Sequence, residues 1–247
     1  MISIVLLAVL KTEIHSGWLA LAGGAAAFSV IIRPSNLVFF VAISIYVLRT
    51  CPGRRWIFFA PALPIFATFV LWSYSAFGLA APPYYWPVRP GGNSLALHGQ
   101  LIEALAANLV SPGRGLFVYV PVFLFSIAGL CSAVPDAVLL SLRPYLLSVL
   151  AAYWILVSTF RTWWGGFAFG PRYLSDVTPI FVILLIPVIQ TKSKRILAAF
   201  FLLAAVSGAI QFLGANRQQT FDWNRFPVSI DANPQRVWDW SDVPFLR

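Results

Sequence analysis

Three arginines stand out for the chemistry their surroundings allow: Arg33 in IIRPSN, Arg114 in SPGRG and Arg172 in FGPRYL. Each lies beside Pro or Gly, residues that interrupt regular hydrogen bonding and free backbone N–H groups. A guanidinium next to such groups suits a phosphate, because its planar fork meets two oxygens at once. Three of these turns on one face could hold a diphosphate or a lipid phosphate. Each Arg also reads as a side chain that anchors a helix end among lipid head groups. Asp176 follows Arg172 by four residues. It reads either as a helix-start carboxylate paired with Arg172 across one turn, or as a base or aiming partner.

The stretch WWGGFAFGPRYLSD, residues 163–176, is richer than a simple turn requires. Trp163 and Trp164 beside two glycines could accept the flat face of a sugar, with Tyr173 and Asp176 completing a sugar or acceptor site. The same indoles, with Tyr84, Tyr85 and Trp86, also fit the aromatic belt found at any membrane interface. Glu103 and His98 are candidate acid–base groups but read equally as interfacial residues. Cys51, Cys131 and His15 belong to no metal-ligand spacing. No Gly-rich phosphate loop, Gly-x-Ser-x-Gly elbow or pair of carboxylates on a common face is present.

The elements that must position these groups are apolar. The 247 residues are 60% hydrophobic and 10% charged, with mean hydropathy +0.81. Soluble domains carry roughly 25% charge, so this composition belongs to an all-α, multi-pass membrane protein. A net charge of +9 with no long basic stripe argues against nucleic acid and for anionic head groups or phosphates. Apolar runs at 2–10, 17–32, 37–48, 56–81, 116–132, 144–160, 173–190 and 196–213 predict about seven to eight transmembrane helices. The pair at 17–48 is broken at Arg33-Pro34-Ser35-Asn36. Between 94 and 109 an amphipathic surface helix with Ser94 as cap is expected. Residues 1–213 form the membrane domain and 214–247 a small aromatic cap.

Short clusters at Arg49, Arg54 and Arg55, and at Lys192, Lys194 and Arg195, with Arg143 in a third loop and Lys11, mark the cytoplasmic side. The Arg33 turn, the 82–115 loop, the 161–172 loop and the tail then face outward. Met1 falls on the outer side as well, as though the chain began within a longer membrane protein.

With these motifs in place, IIRPSN, SPGRGLFVYVPV, WWGGFAFGPRYLSDVTPIF and the tail QFLGANRQQTFDWNRFPVSIDANPQRVWDWSD resemble bacterial membrane glycosyltransferases of the GT-C superfamily. The branch is the one related to dolichyl-phosphate-mannose protein mannosyltransferases. The resemblance implies an inner-membrane enzyme that takes a sugar from a polyprenyl-phosphate donor to a lipid, glycan or protein acceptor on the periplasmic side. In that mechanism Arg33, Arg114 and Arg172 are the candidates for the donor phosphate, with the one that touches it left open. A divalent cation is compatible with that chemistry, although no ligand cluster calls for one. The catalytic carboxylate of such families lies in an outer loop after the first span. No counterpart occurs here, so the resemblance implies a fragment or a chain completed by a partner. A transporter for lipid-linked glycans and a non-catalytic scaffold are the competing expectations.

Overall fold

The computed structural model describes residues 1–11, 15–83, 100–131, 137–191 and 193–247. Tyr84, Tyr85, Trp86, Ser94, His98 and Lys192 lie outside the described residues. Among those described the regular elements are all helices, with no strand. The α-helices are α1 (Ile2–Leu10), α2 (Ser16–Ile32), α3 (Leu37–Thr50), α4 (Arg55–Phe77), α5 (Leu101–Val110), α6 (Leu116–Tyr119) and α7 (Leu124–Cys131). They continue with α8 (Ala137–Ser158), α9 (Thr178–Leu184), α10 (Ile186–Ile189), α11 (Lys194–Asn216) and α12 (Gln218–Asp222).

Among the described residues four helical segments are long and apolar enough to cross a membrane: α4, α8, α11 and the continuous stretch Arg172–Ile189. Four more, Ser16–Ile32, Pro34–Thr50, Leu101–Val110 and Pro121–Leu130, are apolar but shorter. Contacts divide the chain into two units, residues 1–95 with 134–153, and residues 96–133 with 154–247.

In the first unit, small residues on α2 let two backbones meet. A Cβ on Gly23 would lie 1.8 Å from the carbonyl oxygen of Phe58, so nothing larger than Gly fits between α2 and α4 there. Ala22, Ala25, Ala26 and Ala27 are buried around this contact. The chain turns from α2 to α3 at Arg33, whose backbone is extended, and through a 3-10 turn at Pro34–Asn36. Polar contacts hold α8 to this hairpin: Tyr46 OH with Ser141 Oγ at 3.2 Å, and Ser35 Oγ with Tyr153 OH at 3.0 Å. α4 ends at Gly78, which takes a left-handed conformation and donates its N–H to Tyr74.

α4 carries Trp56 near one end and Trp72 and Tyr74 near the other, all exposed. Eighteen residues separate Trp56 from Tyr74, about 27 Å at 1.5 Å per residue. That span matches the roughly 30 Å hydrocarbon thickness that aromatic girdles bracket. Between the girdles Leu63 and Leu71 are 67% and 70% exposed, a large apolar face unsuited to water.

In the second unit the apolar run 116–132 is broken at Pro121, giving α6, a 3-10 turn and α7. The break frees backbone groups that a membrane interior would leave without water. α11 supplies the replacements. Val122 donates its N–H to Ser207 Oγ at 3.1 Å, and Gln211 Nε2 donates to the Tyr119 carbonyl at 3.2 Å. A Cβ on Gly129 would lie 1.8 Å from the Leu184 carbonyl oxygen, so α7 and α9 touch backbone to backbone. Ser126 adds a hydrogen bond to the Phe181 carbonyl at 2.9 Å.

Two boundaries differ from the sequence reading. Arg143 lies inside α8, not in a loop, because the apolar stretch before it already starts the helix at Ala137. Arg172 to Val177 is a 3-10 segment, not the first turn of an α-helix. With three residues per turn, Ser175 rather than Asp176 sits across from Arg172, and Ser175 Oγ donates to the Arg172 carbonyl at 2.7 Å.

Candidate functional site

The loop from Phe160 to Pro171 is built on left-handed glycines and a buried cation. Gly165 and Gly166 have φ of 79° and 62°, a region that favours Gly because it lacks Cβ. Trp163 and Trp164 meet edge to face at 5.8 Å. They are 1% and 8% exposed and pack with Ala104 and Ala107 of α5 and with Trp223, Ile230 and Val237 of the tail. The indole faces that could have formed a sugar platform are therefore interior. Trp164 Nε1 donates to Asp231 Oδ1 at 2.7 Å.

Arg114 runs through the centre of this cluster. Its Nε donates to the Trp164 carbonyl at 2.5 Å and its Nη1 to the Gly113 carbonyl at 2.9 Å. Its Nη2 donates to the Gly166 carbonyl at 3.0 Å and to Asn224 Oδ1 at 2.6 Å. Only 1% of the residue is exposed. Burial lowers its pKa from the usual value to about 10, partly offset by Tyr119 and Asp231, so it stays charged at neutral pH. The Trp223 ring lies 5.4 Å from this guanidinium and 4.5 Å from that of Arg236.

Arg236 performs the same task in the tail. It donates to the carbonyls of Trp223, Val228 and Phe226 and pairs with Asp242 at 3.1 Å. Arg247 also pairs with Asp242, and Trp223 Nε1 donates to the Asp242 carbonyl at 2.7 Å. The backbone is joined too, Gly113 N donating to the Val237 carbonyl at 2.9 Å.

Arg172 is exposed at the first residue of the span-length segment Arg172–Ile189. The loop reaches it through Gly165, where an added Cβ would stand 3.6 Å from Arg172 Cβ and 3.9 Å from the Tyr173 ring. Arg114 thus fixes the carbonyls on both sides of Gly165, and Gly165 backs the stem of Arg172. Tyr173 is half-buried, edge-on to Phe160 at 5.2 Å, with its hydroxyl 3.4 Å from Thr162 Oγ1. Asp176 is half-buried and carries interactions of its own. The structure therefore brings Arg114, Trp163, Trp164, Arg172 and Tyr173 into one connected ledge in the second unit.

Arg33 belongs to the first unit, half-buried at the end of α2. Nearby, Asn36 Nδ2 donates to the Ser29 carbonyl at 3.1 Å, and Asn36 Oδ1 is buried without a partner among the described residues. Glu103 is half-buried in the first turn of α5. That helix turns Ala104, Ala107 and Asn108 inward, Asn108 Nδ2 donating to Ser158 Oγ at 3.0 Å, and leaves Ile102 exposed. Among the described residues no three His, Cys, Asp or Glu side chains gather as metal ligands.

Sequence reasoning did not single out Arg236, Asn224, Asp231 or Asp242. The signal available was a tail with four Arg, four Asp and several Trp, a composition that only pairing and burial make sense of.

Comparison of the chain with family models, with curated proteins and with solved structures gives no match. The class established is a chain whose described residues form helices and no strand, four of the helices being long and apolar enough to cross a membrane.

Proposed function

We propose that the chain is the membrane part of a GT-C-type glycosyltransferase that uses a polyprenyl-phosphate sugar and works at the outer face of a bacterial inner membrane. One observation carries this reading. An exposed Arg172 opens a span-length apolar helix, and a buried-arginine ledge backs its stem. A guanidinium fixed at the start of a membrane helix stands at head-group depth, where a lipid phosphate lies. The loop motifs' resemblance to that superfamily supplies the reaction class.

In this reading the acceptor oxygen forms a bond to the anomeric carbon as the bond from that carbon to the phosphate oxygen breaks. Polyprenyl phosphate leaves with the electron pair, and the acceptor proton passes to a base outside the residues named here. Arg172 neutralises charge that grows on the leaving phosphate. Arg114 acts from behind as the loop's anchor. The shorter apolar helices complete seven or eight crossings. The basic ends of α3, α4 and α11 face the cytoplasm, and the tail faces outward.

The test is sugar transfer from a radiolabelled polyprenyl-phosphate donor by membranes expressing the full reading frame, comparing Arg172→Ala and Arg172→Lys. Loss of about 100-fold in Arg172→Ala, with partial recovery in Arg172→Lys, is expected for a donor to developing charge. Unchanged transfer in Arg172→Ala would remove Arg172 from the mechanism. Movement of the lipid-linked sugar across the bilayer without transfer would favour the transporter reading, which the broken α2–α3 pair allows.

A further inference from the structure

Beyond the Gly23–Phe58 contact, the space between α2 and α4 opens into a cavity of about 630 Å³ that is open along much of its side. Phe28 and Ile31 of α2 line one wall, and Ile65, Thr68, Phe69 and Trp72 of α4 line the other. Pro61 and Pro64 lie inside α4, each lacking a backbone N–H, and Pro64 is part of the cavity lining. The lining is almost entirely apolar, with Thr68 and Trp72 the residues that carry a polar side-chain group.

The cavity's position says what occupies it. α4 is a span-length helix whose outward leucines face hydrocarbon once the chain is in a bilayer. Water would gain almost no hydrogen bonds on these walls, while a hydrocarbon chain would lose none. Trp72 lines the cavity and also belongs to the girdle at the end of α4, so one end of the cavity lies at head-group depth. An occupant anchored there by a polar head, with its tail between the helices, fits that layout. Size narrows the class. At roughly 30 Å³ for a water-sized group, the cavity holds on the order of 20 carbon-sized groups. That is the bulk of one fatty acyl chain and well short of a long polyprenyl chain.

We infer that the α2–α4 cavity seats one acyl chain of a bilayer phospholipid, which the protein retains as a bound lipid. This rests on the membrane reading of α4 and not on the transferase reading, so either stands if the other fails.

The experiment is native mass spectrometry of the full chain extracted in mild detergent, counting phospholipid that remains bound. Thr68→Trp and Ile31→Trp fill the cavity from its two walls, and Leu63→Trp adds the same bulk on the outer face of α4. Wild type and Leu63→Trp should keep roughly one phospholipid per chain, and each filling variant should lower that about tenfold. Circular dichroism and a single elution peak identify folded variants, and two independent walls keep the test open if one variant fails to fold. Wild type without bound phospholipid would overturn the inference, as would full retention in a folded filling variant. Replacement of the phospholipid by added polyprenyl phosphate would also overturn it, giving the cavity to the donor lipid.

Discussion

Replacing Arg114 with Ala should destabilise the second unit by about 4 kcal/mol, and the number follows from its partners. The guanidinium donates to three carbonyls and one side-chain oxygen in a closed interior. Hydrogen bonds to charged groups contribute about 1.5–3 kcal/mol each, so four give roughly 6–12 kcal/mol before costs. Against this stands the burial of the charge, which lowers the pKa to about 10 and costs roughly 3 kcal/mol. Truncation also leaves four acceptors in a dry site, and breaking a buried charged network costs about 3–5 kcal/mol in other proteins. At 2–4 °C per kcal/mol for this chain length, the melting point should fall by about 8–16 °C. Arg114→Lys should recover less than half, because one ammonium cannot span acceptors arranged for a planar fork. Trp163, Trp164 and Trp223 surround the site, so thermal unfolding in detergent followed by tryptophan fluorescence reads it directly. Arg172→Ala serves as the control, an exposed Arg whose loss should change stability by no more than about 0.5 kcal/mol. If Arg114→Ala melts within about 1 °C of wild type, the assignment of Arg114 as the anchor of the 160–171 loop is refuted.

Other expectations follow from the packing. Removing both Ser207 and Gln211 side chains by Ala should cost about 1–3 kcal/mol per freed backbone group at the Pro121 break, measured as steric-trap or thermal stability in detergent; no change would mean water reaches those groups. Gly23→Ala places a Cβ on the Phe58 carbonyl and should cost about 1–3 kcal/mol, whereas Gly53→Ala, with nothing within 4 Å of its Cβ, should be neutral; equal melting points for the two would sink the close-contact account. In a Cys131→Ser background, Cys51 at the turn between α3 and α4 should resist a membrane-impermeant maleimide in intact cells, while Ser229→Cys in the tail reacts; the reverse pattern would invert the proposed topology.

How much of this was legible beforehand depends on whether the signal was local. The breaks at Arg33-Pro34 and near 163–172 could be read from Pro and Gly, since these residues act on their own backbone. The start of α8 could not, because Pro144 looks like a helix start and Arg143 like a loop residue when the preceding helix is unseen. The Trp-Trp-Gly-Gly motif reads as more than a turn, and its indoles lie in the interior. Whether an indole faces a ligand or a core is settled by residues about 60 or more positions away in the sequence, here Trp223, Ile230 and Val237.

The sequence by itself determined the class: 60% apolar residues in long runs with scarce charge leave helices in a membrane as the workable state, since every backbone group must then be paired within its own segment. It also marked the three arginines as special. Only the tertiary structure separated their situations. Arg114 and Arg172 have similar neighbours in the chain, yet one is enclosed by four acceptors and the other is left exposed at a helix start. Local composition sets what a guanidinium can bind, but burial and the positions of distant carbonyls set what it does bind.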